Sequence, residues 1–370
     1  MHSNLSIKFW TEDEFSAGQE KWQELLKNSD TDLLFSSWSW LYNWWDIWGR
    51  NQGSELMILS VYEGAELVGI APLHKSKTRI LANLIKVEAL EFLGSMYYGN
   101  SGIRTEYRQF IVRKGYEESV VSYLMEYIFN EIEWNEIIFS DLISGSKTSD
   151  LFKKKAKRNH CYSRLDKVGS TYLVNCSGEF SDYLSSLTSS TRLKLFNRRK
   201  VLEKHGEVTF KNSKIVEMNE LFDAINEFHE VRWKSPCFDS NSRKFILSLL
   251  NQFKRGDRTY CSQLLVGEEV LSIVINIEVA GKIYNIQLGF KDGYDKKISM
   301  GTLHLGYALE QTFLEDDLSS FDFLAGDGKN SNYKTKISSP FRLLESIQIV
   351  KPIHLKLLYL VNDKILRKLK

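Results

Sequence analysis

Cysteine is scarce in this chain: Cys161, Cys176, Cys237 and Cys261 are the only four in 370 residues. None forms a C-x-x-C pair or stands at a ligand-like interval from a histidine, so a reducing compartment and no structural metal are expected. There is no excess of either charge, with 49 Lys and Arg against 47 Asp and Glu. That balance argues against a dedicated DNA or RNA binder, which carries a clearly basic domain. No apolar run approaches the ~20 residues that span a bilayer. The opening "MHSNLSIKFWTEDEF" lacks a basic segment followed by an apolar one, so no secretory signal is expected. P-loop and Rossmann glycine patterns are missing, as is any local motif for a Ser-His-Asp or Cys-His set. These absences together predict a cytoplasmic protein.

What is present fits large cores. Hydrophobic residues make up 43% and aromatics 13%, with nine Trp, and the length suggests two domains. In "VLSIVINIEV" Leu271, Ile273, Ile275, Ile277 and Val279 alternate with polar or small residues, which predicts a strand with one buried face. "TYCSQLLV" precedes it across Gly267-Glu268-Glu269, and "KIYNIQLGF" follows across Ala280-Gly281, completing a three-strand meander. Leu305, Leu309 and Phe313 then recur at helical spacing, and "SFDFLAG" reads as one more strand. The order is β-β-β-α-β. In the first half, 55–73 reads as a hairpin, 87–94 as a strand, 115–132 as a helix and 135–145 as a strand, each meander being preceded by helical sequence. This similarity suggests an internal duplication, with "KKKAKR" read as a solvated helix face in a crossover.

The stretch "LGFKDGYDKKISMGTL" leads from a strand through a Gly- and Lys-bearing loop into a helix. Free amides and the positive dipole end at a helix start favour phosphate. Gly301 there is open between close phosphate approach and ordinary capping, Ser299 and Thr302 are capping candidates, and Lys297 offers a charge.

A meander, a phosphate-favouring helix start and an adjacent strand form the layout of the GNAT N-acyltransferase fold. Seven stretches in order carry the resemblance: "FSSWSWLYNWWDIWG", "LVGIAPL", "LEFLG", "STRLKLFNRRKVLEKHG", "FHEVRW", "LGFKDGYDKKISMGTL" and "FDFLAGDGKNSNYK". The chain resembles the CelD/BcsL group of GNAT-type acetyltransferases, which are similar to the tandem-unit FemAB aminoacyltransferases. The resemblance implies an α/β (α+β) fold of two tandem GNAT-like domains, each a mixed, mainly antiparallel twisted sheet flanked by helices. The expected division is 1–165, then 166–350 as the acyl-CoA-binding domain, then 351–370 as a basic amphipathic tail.

It also implies acyl transfer from acyl-CoA to an amine, without a metal. A backbone amide around Leu288, Gly289 and Phe290 would polarise the thioester carbonyl. Asp322 and Asp327 at the strand tip are candidate bases, each open to a structural role. Tyr333 is a candidate acid for the leaving sulfur, and Lys334 a candidate anchor for phosphate or carboxylate. The sequence departs from the compact family ending by the insertion "GKNSN". On the acceptor side stand Arg192, which matches the family pattern, Gln287, and His229, Arg232 and Trp233 at one helix end. A small or sugar-linked amine is the expected acceptor, lying between the units, by association of the family with exopolysaccharide biosynthesis. The alternatives are FemAB-like transfer from aminoacyl-tRNA and an inactive GNAT-fold binding protein. The Trp-rich segment 35–49 is expected in a core. The tail is open between peripheral membrane contact and packing on protein.

Overall fold

The computed structural model describes residues 4–80, 84–100, 102–254, 258–326 and 329–368. The chain forms two compact units, one of residues 1–168 with 343–370 and one of residues 169–342. The expected division differs at the chain's end: residues 343–370 return to the first unit rather than closing the second or hanging as a tail.

The first unit runs β1 (Leu5–Trp10), α1 (Glu12–Ala17), α2 (Gln19–Lys27), α3 (Trp38–Trp44), β2 (Glu55–Glu63), β3 (Glu66–Ile80), β4 (Ile85–Phe92), β5 (Ile111–Val112), α4 (Glu117–Asn130), β6 (Glu136–Ile143) and α5 (Lys147–Arg158). Strand β7 (Tyr162–Asn175) leads into the second unit. There follow α6 (Phe180–Ser186), α7 (Ser189–Arg192), α8 (Arg199–Leu202), β8 (Val208–Lys214), α9 (Met218–Trp233), α10 (Ser240–Phe253), β9 (Arg258–Val266), β10 (Glu269–Val279), β11 (Lys282–Phe290), α11 (Met300–Phe313), β12 (Ser320–Ala325) and α12 (Lys329–Ile337). Strand β13 (Ser339–Val350) and α13 (Ile353–Lys368) end the chain.

In the first unit the strand order is β1-β2-β3-β4-β6-β13, with β5 on β3. All neighbours are antiparallel except β4 and β6. Leu59, Val61, Leu73, Phe92 and Phe139 are buried in one cluster with Leu124 and Ile128 of α4 and Phe152 of α5. Local signals start the helices: Thr11 and Glu14 form a reciprocal capping box on α1. Of the Trp-rich segment, Trp40, Trp44, Trp45 and Trp48 are buried. Trp38 is partly exposed, stacks on Tyr42 at 4.4 Å and donates to the Phe15 carbonyl.

The second unit has the order β7-β12-β11-β10-β9-β8, with β11 and β12 its parallel pair. The hairpin from β10 to β11 turns at Ala280 and Gly281, both at positive φ (52° and 80°), the geometry of a two-residue type I′ connection. The expected one-sided burial of β10 is corrected here: Leu271 through Glu278 are all buried. Leu305 and Leu309 of α11 join one apolar cluster with Val274, while Ile273, Ile275 and Ile277 on the opposite side of the strand are buried too. Successive strand residues point to opposite faces, so a strand buried throughout is covered on both. Leu195 seats directly on α11 at Gly306, where an added Cβ would collide with the Leu195 carbonyl.

Candidate active site

The parallel pair of the second unit is short. Its register covers Lys282↔Ser320, Ile283↔Phe321 and Tyr284↔Asp322. Past Tyr284, β11 stays paired with β10 as far as Phe290, so its other edge leaves β12 and a wedge opens. The direction of the amides along that edge follows from the ladder. Lys291 donates to the Leu271 carbonyl at 2.8 Å. Alternation in an antiparallel pair then makes Ile273–Gly289 and Ile275–Gln287 hydrogen-bonded and turns the amides of Leu288 and Phe290 into the wedge. The Leu288 amide meets the Gln287 Oε1 of its own chain at 3.2 Å, and Gln287 Nε2 donates to the Cys237 thiol.

The start of α11 lies against the same end of β11. A Cβ at Gly301 would stand 2.9 Å from Phe290 Cδ1 and 3.0 Å from Leu288 Cδ2. Glycine here lets the helix approach these side chains, a packing role in place of the close phosphate approach considered from sequence. Ser299 occupies the cap position without a side-chain bond to the helix amides, and its hydroxyl meets that of Thr302 at 3.0 Å. The amides of a first turn have no partner within the helix, so this end presents donors and a positive dipole beside the wedge. Lys297 is exposed on the preceding loop, and its amide donates to Asp295.

At the tip of β12 the carboxylate of Asp322 is wholly buried. It pairs with Lys282 Nζ at 2.7 Å and accepts from the Leu324 amide at 2.8 Å. This is the structural alternative among its two expected roles, since both oxygens are engaged inside the sheet. Leu324 has a φ of 59°, and the register of β12 on β7 shifts between Asp322 and Ala325. Lys334 holds that irregular end together: its ammonium donates to the carbonyls of Phe323, Leu324 and Ala325 at 2.5, 3.3 and 2.8 Å. The expected phosphate anchor is thus a clamp on three carbonyls. Tyr333, on the same helix, packs against the cluster of Phe321, Phe323 and Leu305 that Leu288 also borders. Burial pushes its hydroxyl up to about 12, so it stays protonated at neutral pH. Asp327 lies outside the described residues.

The acceptor candidates divide. Ile225 of α9 touches Gly289, and the guanidinium of Arg232, two turns on, lies 4.9 Å from the Phe290 ring and 5.1 Å from that of Trp233. His229 falls four residues after Ile225, on the same helix face, and burial followed by the nearby Arg232 charge lowers its pKa. Arg232 therefore lies by Phe290 at the end of β11 beside Trp233, with His229 one turn earlier on the same helix, while Gln287 is tied to Cys237. Arg192 does not join them; it donates to the Leu184 carbonyl at the end of α6 at 3.2 Å.

Three features escaped the sequence reading. Lys282, partner of Asp322, lies forty positions away and had no local signal. Arg199, one of several basic residues in 192–204, is held 3.7 Å from the Tyr307 ring and paired with Glu310. His304 is fully buried between two serines: Ser262 Oγ lies 3.0 Å from Nε2, and Ser272 Oγ 2.8 Å from Nδ1. Ser272 donates onward to the Gly289 carbonyl at 3.0 Å. The serine's one proton is thereby committed, so Nδ1 carries the imidazole proton and Ser262 donates to Nε2. Burial lowers His304 to about 3, leaving a neutral chain of donors that ends on the peptide whose N–H, that of Phe290, faces the wedge. A polar residue within the apolar run Leu303–Leu305 was the available signal.

The first unit treats its parallel pair differently. The β4–β6 register covers Ala89↔Glu136 to Glu91↔Ile138. Beyond it the chain's own residue Arg108 docks on β6, its amide donating to the Asp141 carbonyl at 3.0 Å and its carbonyl accepting from Ile143 at 3.1 Å. The Arg108 side chain is buried against Ser95 Oγ at 2.6 Å and the Thr105 carbonyl. The corresponding gap is filled from within.

Residues 189–335 match the family described as an acetyltransferase (GNAT) domain. No curated protein matches the sequence. Among solved structures, FemX is similar with a TM-score of 0.58 and 13% identity, over 92% of this chain and 96% of that one. A tandem GNAT protein from the clavulanic acid biosynthesis pathway gives 0.52 and 10% over 94% and 99%. L-PGS from Bacillus licheniformis gives 0.50 and 13% over 94% and 96%. The fold is that of two tandem GNAT-like units, and within it residues 189–335 are acetyltransferase-like. Among the described residues no group of side chains is arranged to hold a metal ion.

Proposed function

We propose that the second unit transfers an acyl group from acyl-CoA to an amine. The observation that carries this reading is the wedge that opens past Tyr284 and Asp322, with the Leu288 amide turned into it. A pantetheine arm in the wedge would run along the unpaired edge of β11, and its pyrophosphate would meet the first amides of α11, beside Ser299, Thr302 and Lys297. The thioester oxygen would replace Gln287 Oε1 at the Leu288 amide, where the developing oxyanion gains a fixed donor. The amine nitrogen attacks the carbonyl carbon, the C–S bond breaks, and the nitrogen sheds a proton. Asp322 is committed to Lys282, so His229, kept neutral at pH 7 by burial and by Arg232, is our candidate to take that proton. Tyr333 is our candidate to protonate the departing sulfur.

Arg232 and the exposed Trp233 suit an acceptor that bears a carboxylate or phosphate and a flat sugar face. The CelD/BcsL resemblance points to an amino sugar on a nucleotide or lipid carrier. A second reading, aminoacyl transfer from tRNA, draws on the FemX-like fold. It uses the same attack on an activated carbonyl, with an ester in place of the thioester.

Calorimetric titration of the full chain with acetyl-CoA and a longer acyl-CoA tests the proposal, followed by thiol release on adding amino sugars. Saturable heat with one donor, and amine-dependent thiol release, are expected. No binding at millimolar donor overturns the acyl-CoA assignment, and retention of charged tRNA instead would establish the second reading.

A further inference from the structure

Helix α13 carries two apolar faces. Leu355, Leu358 and Tyr359 pack inward against Val87, Val350, Ile80 and Ile85. On the other side Ile353, Leu357, Leu360 and Val361 are between 37% and 74% exposed. Their spacing of four, three and one places them in one stripe along the helix. Leu84, 83% exposed at the tip of the hairpin from β3 to β4, adjoins the same inner cluster through Ile80 and Ile85.

The sequence at this end of the chain carries mostly positive charge. Residues 351–370 contain six Lys or Arg against a single Asp, although the whole chain is nearly neutral at +2. The Asp is itself engaged: Asp363 accepts from Arg164 at 2.7 and 2.9 Å and from the Tyr162 hydroxyl. Helix α5 adds the exposed Lys154, Lys157 and Arg158. Its end is tied to α13 by Lys356, which donates to the His160 carbonyl at 2.9 Å.

We infer that this face of the first unit docks on an anionic phospholipid bilayer, with α13 lying in the headgroup plane. Leucine and isoleucine side chains there enter the acyl boundary while flanking Lys and Arg meet phosphates. A nucleic acid would leave the stripe uncovered. A second copy of the chain would bring like charges together across a two-fold contact, which is costly. No helix among the described residues is long and apolar enough to cross a membrane, so contact would be interfacial.

The test is sedimentation of the full chain with phosphatidylcholine vesicles, with and without phosphatidylglycerol. Binding is expected with the anionic vesicles, falling as salt rises, and absent with phosphatidylcholine alone. Lys154→Ala with Lys157→Ala should weaken it, by about fivefold for each charge removed. Leu357→Glu with Leu360→Glu should abolish it while leaving the thermal unfolding curve unchanged, because both side chains are exposed. Equal binding to both vesicle types, binding to neither, or a concentration-dependent dimer that the Leu357→Glu variant dissolves would each overturn the inference. Donor titration plays no part in this test, so its outcome is separate from that of the transferase proposal.

Discussion

Replacing Asp322 by Asn separates a structural carboxylate from a catalytic one. The substitution keeps the shape and the oxygen that accepts from Leu324, but it removes the charge paired with Lys282 at 2.7 Å. Lys282 is then left 4.3 Å from the Tyr284 ring centroid with little water, its side chain being 18% exposed. Breaking one half of a buried ion pair costs about 3–5 kcal/mol. For a unit of this size, about 2–4 °C of Tm is lost per kcal/mol, so a fall of about 6–20 °C is expected. Removing both charges, with Asp322→Asn and Lys282→Met together, should recover most of the loss, because a well-packed apolar replacement of a buried pair is close to neutral. Circular dichroism melts of the wild type, both single variants and the double variant measure this, read on the transition of the second unit. A single Asp322→Asn variant with unchanged Tm and no transfer activity would refute the reasoning and make the carboxylate a reaction base.

Gly306→Ala should destabilise the second unit by about 1–3 kcal/mol from overpacking against the Leu195 carbonyl, against about 1 kcal/mol regained in helix propensity. Gly178→Ala, with nothing within 4 Å of the added carbon, is its neutral control in the same melts. His304, at about 3 in the folded protein against an ordinary value near 6.5, makes the unfolded state the better proton binder. Its contribution is therefore complete above pH 6.5 and lost as pH falls toward 3. His304→Gln, which cannot charge, should lower Tm at pH 7 yet flatten its decline between pH 6.5 and 4. His229→Gln should lower kcat by about 10²–10⁴-fold if His229 is the base, with little change in Tm. It should also remove the acid-side limb of the rate profile; a retained limb would assign that proton to another group.

Local patterns carried much of the second unit's architecture. Alternation in 270–279 and 282–290, the turn at Ala280-Gly281 and the four-residue recurrence from Leu305 to Phe313 are short-range properties, and the elements formed where those periods placed them. Strands whose side chains are largely exposed gave weaker periods and were passed over: β1 with only Trp10 buried, and β8 with only Ser213 buried. Helix α12, "KNSNYKTKI", is too polar to declare itself.

The site was only half legible for a related reason. The family resemblance placed Asp322, Tyr333, Lys334, Gly301 and Leu288 near one another in prospect, but pairing and direction depend on residues distant in the chain. Lys282 decides what Asp322 does, the carbonyls of β12 decide what Lys334 does, and the ladder to β10 decides where the Leu288 amide points. The return of residues 343–350 to β6 was equally invisible, since a strand's own alternation states that it has faces and not which edge it will join. Sequence alone determined which segments were helices and strands in the meander, because those preferences are settled within a few residues. Only the tertiary structure decided which polar groups are spent within the fold and which face the wedge, because hydrogen bonds and buried charges are satisfied by whatever the fold brings within about 3 Å.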